Sequence, residues 1–228
     1  MNLMIRNIFL KKFFFVRTDL ERMLLLSCSF SISLTAFRLL YTGKLLFVWL
    51  NWNLLLAFIP YAITRFAIRH PQWTENNKRF TLLFISWLLF IPNSFYIITD
   101  LFHLSSRVPV PLWFDLALIL SFAWNGILLG ILSIRQMEKL VEVKFGWSKE
   151  WLFVYPMMLL NSFGIYIGRY LRYNSWDIVS NPLQLFKDIV YLLIHPLRNR
   201  FDWSMIICYS VFMTLIYLTI KKLGKSLY

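Results

Sequence analysis

Four polar side chains that could do chemistry lie at the end of one long apolar segment. In the string IPNSFYIITDLFHL, the residues Asn93, Tyr96, Asp100 and His103 recur every three or four positions. Because an α-helix has 3.6 residues per turn, this spacing places all four on one helical face. An amide, a phenol, a carboxyl group and an imidazole on one face could bind a polar ligand, exchange protons or help to hold a metal ion.

A second polar cluster lies in the string NSFGIYIGRYLRYNSWD, in which Asn161, Gly164, Gly168 and Arg172 share one helical face and Arg169 lies beside it. Two arginines could hold a phosphate or carboxylate group through charge-assisted hydrogen bonds. Arginines at helix ends also reach lipid headgroups without any specific ligand, and that alternative stays open. With the polar residues that follow, the candidate site comprises Asn93, Tyr96, Asp100, His103, Arg169, Arg172, Asn174, Asp177 and His195.

The elements that position these residues are membrane spans, as the composition indicates. Of the 228 residues, 59% are hydrophobic and only 15% are charged, whereas soluble domains carry about 25% charged residues. The net charge of +13 arises from basic residues between apolar stretches, which fits anionic lipid headgroups better than nucleic acid. We therefore expect membrane lipids as partners and no nucleic acid. Nothing in the sequence predicts a cofactor or a particular protein partner.

Six windows are long and apolar enough to cross a bilayer core of about 30 Å as α-helices. They cover residues 21–40, 45–64, 80–99, 112–134, 150–172 and 202–220. The chain is thus predicted to be one multi-pass domain over residues 1–228, an all-α transmembrane bundle. Two GxxxG pairs, at Gly126 and Gly164, predict close helix contacts. The apolar stretch 183–194 contains Lys187 and Asp188, which favours an interfacial or re-entrant helix over a seventh span.

The distribution of positive charge predicts the orientation. Sixteen of the 24 lysines and arginines lie in the N-terminal segment and in the connections that share its side. Since positive loops stay in the cytoplasm, both termini are predicted to be cytoplasmic, in a plasma-membrane protein. The ends of the third and fifth spans then emerge together on the outer side, where their polar residues could meet in one cleft.

The strings PNSFYIITDLFHL, at residues 92–104, and FGIYIGRYLRYNSWD, at residues 163–177, resemble an uncharacterised bacterial membrane-protein family, domain of unknown function 1361. The later string HPLRNRFDW resembles that family as well, and the likeness extends from about the second span to the sixth. The resemblance implies a multi-pass membrane protein. It implies no activity.

Three functions fit the pattern. The cleft could bind a lipid headgroup or another anionic group through its arginines. It could hydrolyse a substrate at a metal, with His103, His195, Asp100 and Asp177 as weak candidate ligands, although no HExxH motif is present. A transport path for a small solute could instead be lined by intramembrane polar residues such as Asn53, Asn93, Asn125 and Asn161. Whether the protein is an enzyme stays open.

Overall fold

A computed structural model describes residues 18–105, 109–146, 150–173 and 180–226. The described chain forms eight α-helices and one 3₁₀-helical turn. They are α1 (Asp19–Thr42), α2 (Trp49–Arg69), α3 (Pro71–Glu75), α4 (Asn77–Tyr96), the 3₁₀ turn (Ile97–His103), α5 (Leu112–Phe145), α6 (Glu150–Arg169), α7 (Pro182–Ile194) and α8 (Arg200–Ser226).

Within the described residues, five segments are long and apolar enough to cross a membrane: α1, α4 with its 3₁₀ turn, α5, α6 and α8. The sixth long helix, α2, has 21 residues and is therefore about 32 Å long. The predicted all-α bundle of about six spans is confirmed. The 13 residues of α7 extend only about 20 Å, too short to cross the hydrocarbon core. It is the short helix predicted before the last span.

Local sequence signals set several helix ends. Thr18 and Glu21 form a capping box that satisfies free backbone N–H groups at the start of α1. Gly43 ends α1 at a φ of 66°, and Gly146 ends α5 at 69°. Glycine has no Cβ and adopts this left-handed conformation without strain, so it stops a helix cleanly.

The surface of the bundle is apolar, and several polar groups lie inside it. Large side chains such as Leu26, Phe37 and Leu82 are exposed along the spans. Asn125 is fully buried, where its amide donates to the Ser31 hydroxyl over 2.9 Å. An apolar exterior with hydrogen-bonded polar groups between helices suits a hydrocarbon solvent.

Glycines let α4 pack closely against two helices. A Cβ at Gly126 of α5 would lie 2.6 Å from the Ser94 carbonyl oxygen, and one at Gly164 of α6 would lie 2.7 Å from Pro92. Such distances are shorter than van der Waals contact, so both positions require glycine. The predicted role of the two GxxxG pairs in helix packing is confirmed. The contact at Gly164 fixes how α4 and α6 approach each other.

A buried ion pair joins α1 to α5. The Arg38 guanidinium binds the Asp115 carboxylate through two bonds, Nε to Oδ1 at 2.7 Å and Nη2 to Oδ2 at 3.0 Å. The two side chains are 3% and 1% exposed. Arg38 is in the last turn but one of α1 and Asp115 is in the first turn of α5, so these helices run antiparallel. This pair lies at one end of the bundle, and the 3₁₀ turn that contains Asp100 lies at the same end. We call it the site end.

Other ion pairs join helices at the opposite end. Glu21 of α1 binds Arg65 of α2, and Lys221 of α8 donates to Glu138 of α5 over 2.8 Å. Long helices that follow one another along the chain thus alternate in direction, which is the arrangement expected of consecutive spans. Charged groups at both ends are used to connect helices.

We predict that Arg38→Met costs about 3–5 kcal/mol of unfolding free energy, because it leaves the Asp115 carboxylate buried without its cation. The double variant Arg38→Met with Asp115→Leu should recover most of this loss, since it leaves no charge unpaired. Unfolding in detergent, followed by helical circular dichroism, measures both. Equal losses in the single and the double variant would contradict a stabilising role for the pair.

Candidate functional site

The Arg169 guanidinium is the centre of the site. Its Nη1 lies 3.1 Å from Nε2 of His103, 3.4 Å from the Tyr96 hydroxyl and 3.7 Å from Oδ1 of Asp100. Its Nη2 donates to the backbone carbonyl of Thr99. One side chain at the end of α6 thereby binds four groups at the end of α4.

The 3₁₀ geometry of residues 97–103 explains how one guanidinium reaches so many partners. In a 3₁₀ helix, residues three apart are eclipsed, so Asp100 and His103 lie one above the other. The same turn leaves backbone carbonyls without helical partners at its end, and the Thr99 carbonyl accepts from Arg169. The sequence spacing of three or four residues therefore still gives a common face, although the turn is not α-helical.

Asp100 lies behind Arg169 and is fully buried. Its Oδ2 accepts a 3.0 Å hydrogen bond from the Asn53 amide of α2. Among the described residues, its Oδ1 has no hydrogen-bond partner, and its ion-pair contact is with Arg169. The carboxylate thus connects three helices, α2, α4 and α6, through one amide and one cation.

The His103 imidazole is oriented by two contacts. Arginine has no hydrogen-bond acceptor, so in the contact with Arg169 the His103 Nε2 is the acceptor. The Trp49 ring packs edge-on against this imidazole, with 5.2 Å between centroids. Aromatic packing and the guanidinium together fix the orientation of the ring.

A cavity of about 1010 Å³ extends from this cluster between α2, α4, α6 and α7. Its wall is mainly apolar, with Leu56, Ile59, Leu88 and Leu160 among the lining residues. The polar residues on the wall include Asn53, Asn93, Tyr96, His103, Asn161 and Arg169. Asp100 does not line the cavity. A ligand would therefore meet the guanidinium rather than the carboxylate.

Asn161 is the one asparagine on the described wall whose amide lacks any hydrogen bond. Its side chain is fully buried, and neither Nδ2 nor Oδ1 has a partner. An unsatisfied buried polar group costs about 1–3 kcal/mol. By contrast, Asn53 bonds to Asp100, and Asn93 donates to the Phe90 carbonyl over 3.0 Å.

The short helix α7 closes one side of the cavity with Leu185 and Ile189. The Tyr173 hydroxyl donates to Oδ2 of Asp188 over 2.7 Å, which ties α7 to the end of α6. The Trp203 indole donates to the Leu192 carbonyl over 3.1 Å, which ties α7 to α8. These bonds hold α7 at its middle and near its C-terminal end.

Of the sequence-predicted site residues, Tyr96, Asp100, His103 and Arg169 come together, and Asn93 lines the same cavity. The prediction that Arg172 continues the polar face of α6 is wrong. The helix ends at Arg169, and Arg172 is exposed at a φ of 60°.

His195 is not brought into the cluster. It is exposed at the end of α7, its Nδ1 lies 3.2 Å from the Tyr191 carbonyl, and it does not line the cavity. Asn174 and Asp177 lie outside the described residues. Asp115, at the same end of the bundle, pairs with Arg38 and is not part of the cluster.

No metal site is formed by the part of the chain that the structure describes. Within it, no group of three or more His, Cys, Asp or Glu side chains could hold a metal ion. Arg169 contacts both Asp100 and His103. A guanidinium therefore occupies the position between the imidazole and the carboxylate where a cation would bind.

Sequence reasoning assigned no role at the cluster to Asn53 or Trp49, two residues of α2. Asn53 was considered only as part of a transport path. An amide in an apolar span needs a polar partner inside the protein, and this requirement could have linked Asn53 to the buried carboxylate. Nothing in the spacing of Trp49 indicates its contact with His103.

We predict that Arg169→Met destabilises the protein, because the buried Asp100 carboxylate loses its cation. Adding Asp100→Asn should restore most of the loss, since an amide oxygen can still accept from Asn53 and carries no charge. Thermal unfolding in detergent compares the two variants with the parent protein. A double variant that is no more stable than Arg169→Met would show that Asp100 and Arg169 are not coupled.

Residues 52–217, about three quarters of the chain and including the whole Arg169 cluster, match the model of a protein family of unknown function, DUF1361. Neither the curated proteins nor the solved structures contain a match to the chain. The matched segment begins within α2 and ends within α8, and on this evidence the chain belongs to the DUF1361 family.

Proposed function

We propose that this membrane protein binds an amphipathic anion of the lipid type, with its anionic headgroup at Arg169 and its hydrocarbon chain along the apolar wall. The observation that carries the proposal is a single cavity that joins a guanidinium to a long apolar surface. Binding pockets of this kind fix orientation with a few polar groups and gain affinity from apolar contact. A lipid with an anionic headgroup has both the charged group and the hydrocarbon chain that such a cavity would bind.

The position of Asp100 determines what the headgroup meets. Asp100 is the acidic partner of Arg169. The carboxylate is fully buried behind the guanidinium, whereas the Arg169 side chain is 15% exposed. The positive side of the pair therefore faces the ligand. A phosphate or carboxylate group would receive charge-assisted hydrogen bonds from the guanidinium.

A plasma-membrane location and the orientation with both termini in the cytoplasm belong to the same proposal. Sixteen of the 24 lysines and arginines belong to the N-terminal segment and to the connections predicted on its side, and eight belong to the other connections. Lysines and arginines concentrate in cytoplasmic connections, and nearby acidic residues change this bias little, so the count favours an extracytoplasmic site end.

Transport of a small solute is the second candidate. Of the four asparagines named for a transport path, Asn53, Asn93 and Asn161 line the same cavity. The fourth, Asn125, bonds to Ser31 elsewhere in the bundle. The apolar wall favours a lipid over a hydrated solute. The geometry gives metal-dependent hydrolysis no comparable support, since Arg169 lies between Asp100 and His103.

Lipid binding is tested with oleyl phosphate, which has one phosphate and one chain. We expect native mass spectrometry of the detergent-solubilised protein to detect one bound molecule. The double variant Arg169→Met with Asp100→Asn should weaken binding about 10- to 100-fold, because a hydrogen bond to a charged group contributes about 1.5–3 kcal/mol. It leaves no buried charge unpaired, so it is expected to fold.

Arg172→Ala is the matched control, since it removes an exposed arginine outside the cavity from the same chain segment. It should bind oleyl phosphate as the parent protein does. Oleyl alcohol should bind more weakly than oleyl phosphate, and inorganic phosphate should not compete. Equal binding of oleyl phosphate by the double variant and the parent protein would refute the headgroup role of Arg169.

The orientation is tested by cysteine labelling of intact cells. After replacement of Cys28 and Cys208 by alanine, a membrane-impermeant maleimide should label Ser105→Cys and Arg198→Cys, which are exposed positions at the site end. Lys78→Cys, exposed at the start of α4, should react only after permeabilisation. The opposite labelling pattern would place the site end in the cytoplasm.

A further inference from the structure

A second cavity, of about 540 Å³, lies between the end of α2, the short helix α3 and the C-terminal half of α5. One face of α5 forms most of its wall, because the lining residues of this helix recur every three or four positions. They are Leu132, Arg135, Gln136, Lys139, Leu140 and Val143. We call this cavity the basic pocket, since its wall combines two cations with apolar side chains.

Lys144 holds one wall of the basic pocket in place. Its Nζ donates to the backbone carbonyls of Thr74, over 2.7 Å, and of Glu75, over 3.1 Å. Both carbonyls belong to α3, and Thr74 lines the pocket. The two bonds tie α3 to α5, so the pocket has a defined wall on this side.

The two cations of the basic pocket have no acidic partner in the part of the chain that the structure describes. Arg135 is partly exposed and Lys139 is exposed, and neither side chain forms an ion pair or a hydrogen bond with a described residue. None of the described aspartates and glutamates lines the pocket. The neighbouring carboxylate of Glu138 binds Lys221 and Tyr217 instead. Arg135 and Lys139 are therefore accessible to an anion.

The basic pocket lies at the depth of lipid headgroups. Asp115 is in the first turn of α5, at the site end, and Arg135 follows it by twenty residues on the same helix. The Cα of Arg135 is therefore about 30 Å further along the helix axis, which is about the thickness of the hydrocarbon core. Lys139 lies one turn beyond Arg135. The two cations thus reach the membrane interface opposite the Arg169 cluster.

We infer that the basic pocket binds the headgroup of an anionic phospholipid from the leaflet at this end of the bundle. The lipid phosphate accepts charge-assisted hydrogen bonds from Arg135 and Lys139, and the acyl chains run towards the centre of the bilayer past Leu132. The depth of the pocket and its apolar wall favour a membrane lipid over a soluble anion. This site is separate from the Arg169 cavity and does not rest on the function proposed for that cavity.

Dioleoylphosphatidylglycerol tests the inference, with dioleoylphosphatidylcholine as its uncharged counterpart of the same chain length. The protein carries Arg169→Met with Asp100→Asn as a common background, so that the other cavity offers no cation. We expect native mass spectrometry in detergent to detect one tightly bound phosphatidylglycerol. It should bind at least about tenfold more tightly than phosphatidylcholine, as hydrogen bonds between charged groups would give.

Arg135→Gln with Lys139→Gln should weaken the binding of phosphatidylglycerol at least about tenfold. Lys78→Gln with Lys222→Gln is the matched control. It removes the same charge from the same end of the bundle, at exposed positions that do not line the pocket, and it should leave binding unchanged. Neither double variant breaks an ion pair, so the thermal unfolding of both in lipid-free detergent should match that of the background protein.

Three results would overturn the inference. Phosphatidylglycerol binding that survives the loss of Arg135 and Lys139 would place the lipid elsewhere. Equal weakening in the two double variants would show a general attraction to the basic end rather than a site. Displacement of the lipid by inorganic phosphate would show that the pocket takes a soluble anion. None of these results bears on the binding of oleyl phosphate at Arg169, which is measured separately in the protein without the background substitutions.

Discussion

The contact between the Arg169 guanidinium and the end of α4 is the interaction on which the rest of the site depends. It joins the last residue of α6 to the Thr99 carbonyl, the Asp100 carboxylate and the His103 imidazole. The contact is possible because Gly164 lets Pro92 approach α6 without a Cβ between them. Without this close crossing, the ends of the two helices would separate, and the cavity between them would lose its polar end.

Polar pairs of this kind hold the whole bundle together. In a hydrocarbon solvent the hydrophobic effect does not drive helices together, so specific contacts between them decide the arrangement. Arg38 with Asp115, Arg65 with Glu21 and Lys221 with Glu138 each connect two helices. Arg169 differs from these cations because it also lines a cavity, which leaves part of its binding capacity for a ligand.

Composition and apolar length were sufficient to predict the all-α bundle, since only helices of about 20 apolar residues satisfy their backbone in lipid. The periodicity of the third span also placed Tyr96, Asp100 and His103 on one face. The sequence pattern could not predict where α6 ends. The helix stops at Arg169, so Arg172, three residues later, does not continue the polar face of α6. The partner of Asp115 could not be predicted either, because nothing in the sequence around Asp115 specifies Arg38.

The most direct test of a cavity built for an amphipathic anion is a structure of the protein with a monoacyl glycerophosphate brominated on its chain. The account predicts bromine density between α2, α4 and α6, and a phosphate within hydrogen-bonding distance of the Arg169 guanidinium. Bromine found only against the lipid-facing surface of the bundle, with water alone in the cavity, would contradict it.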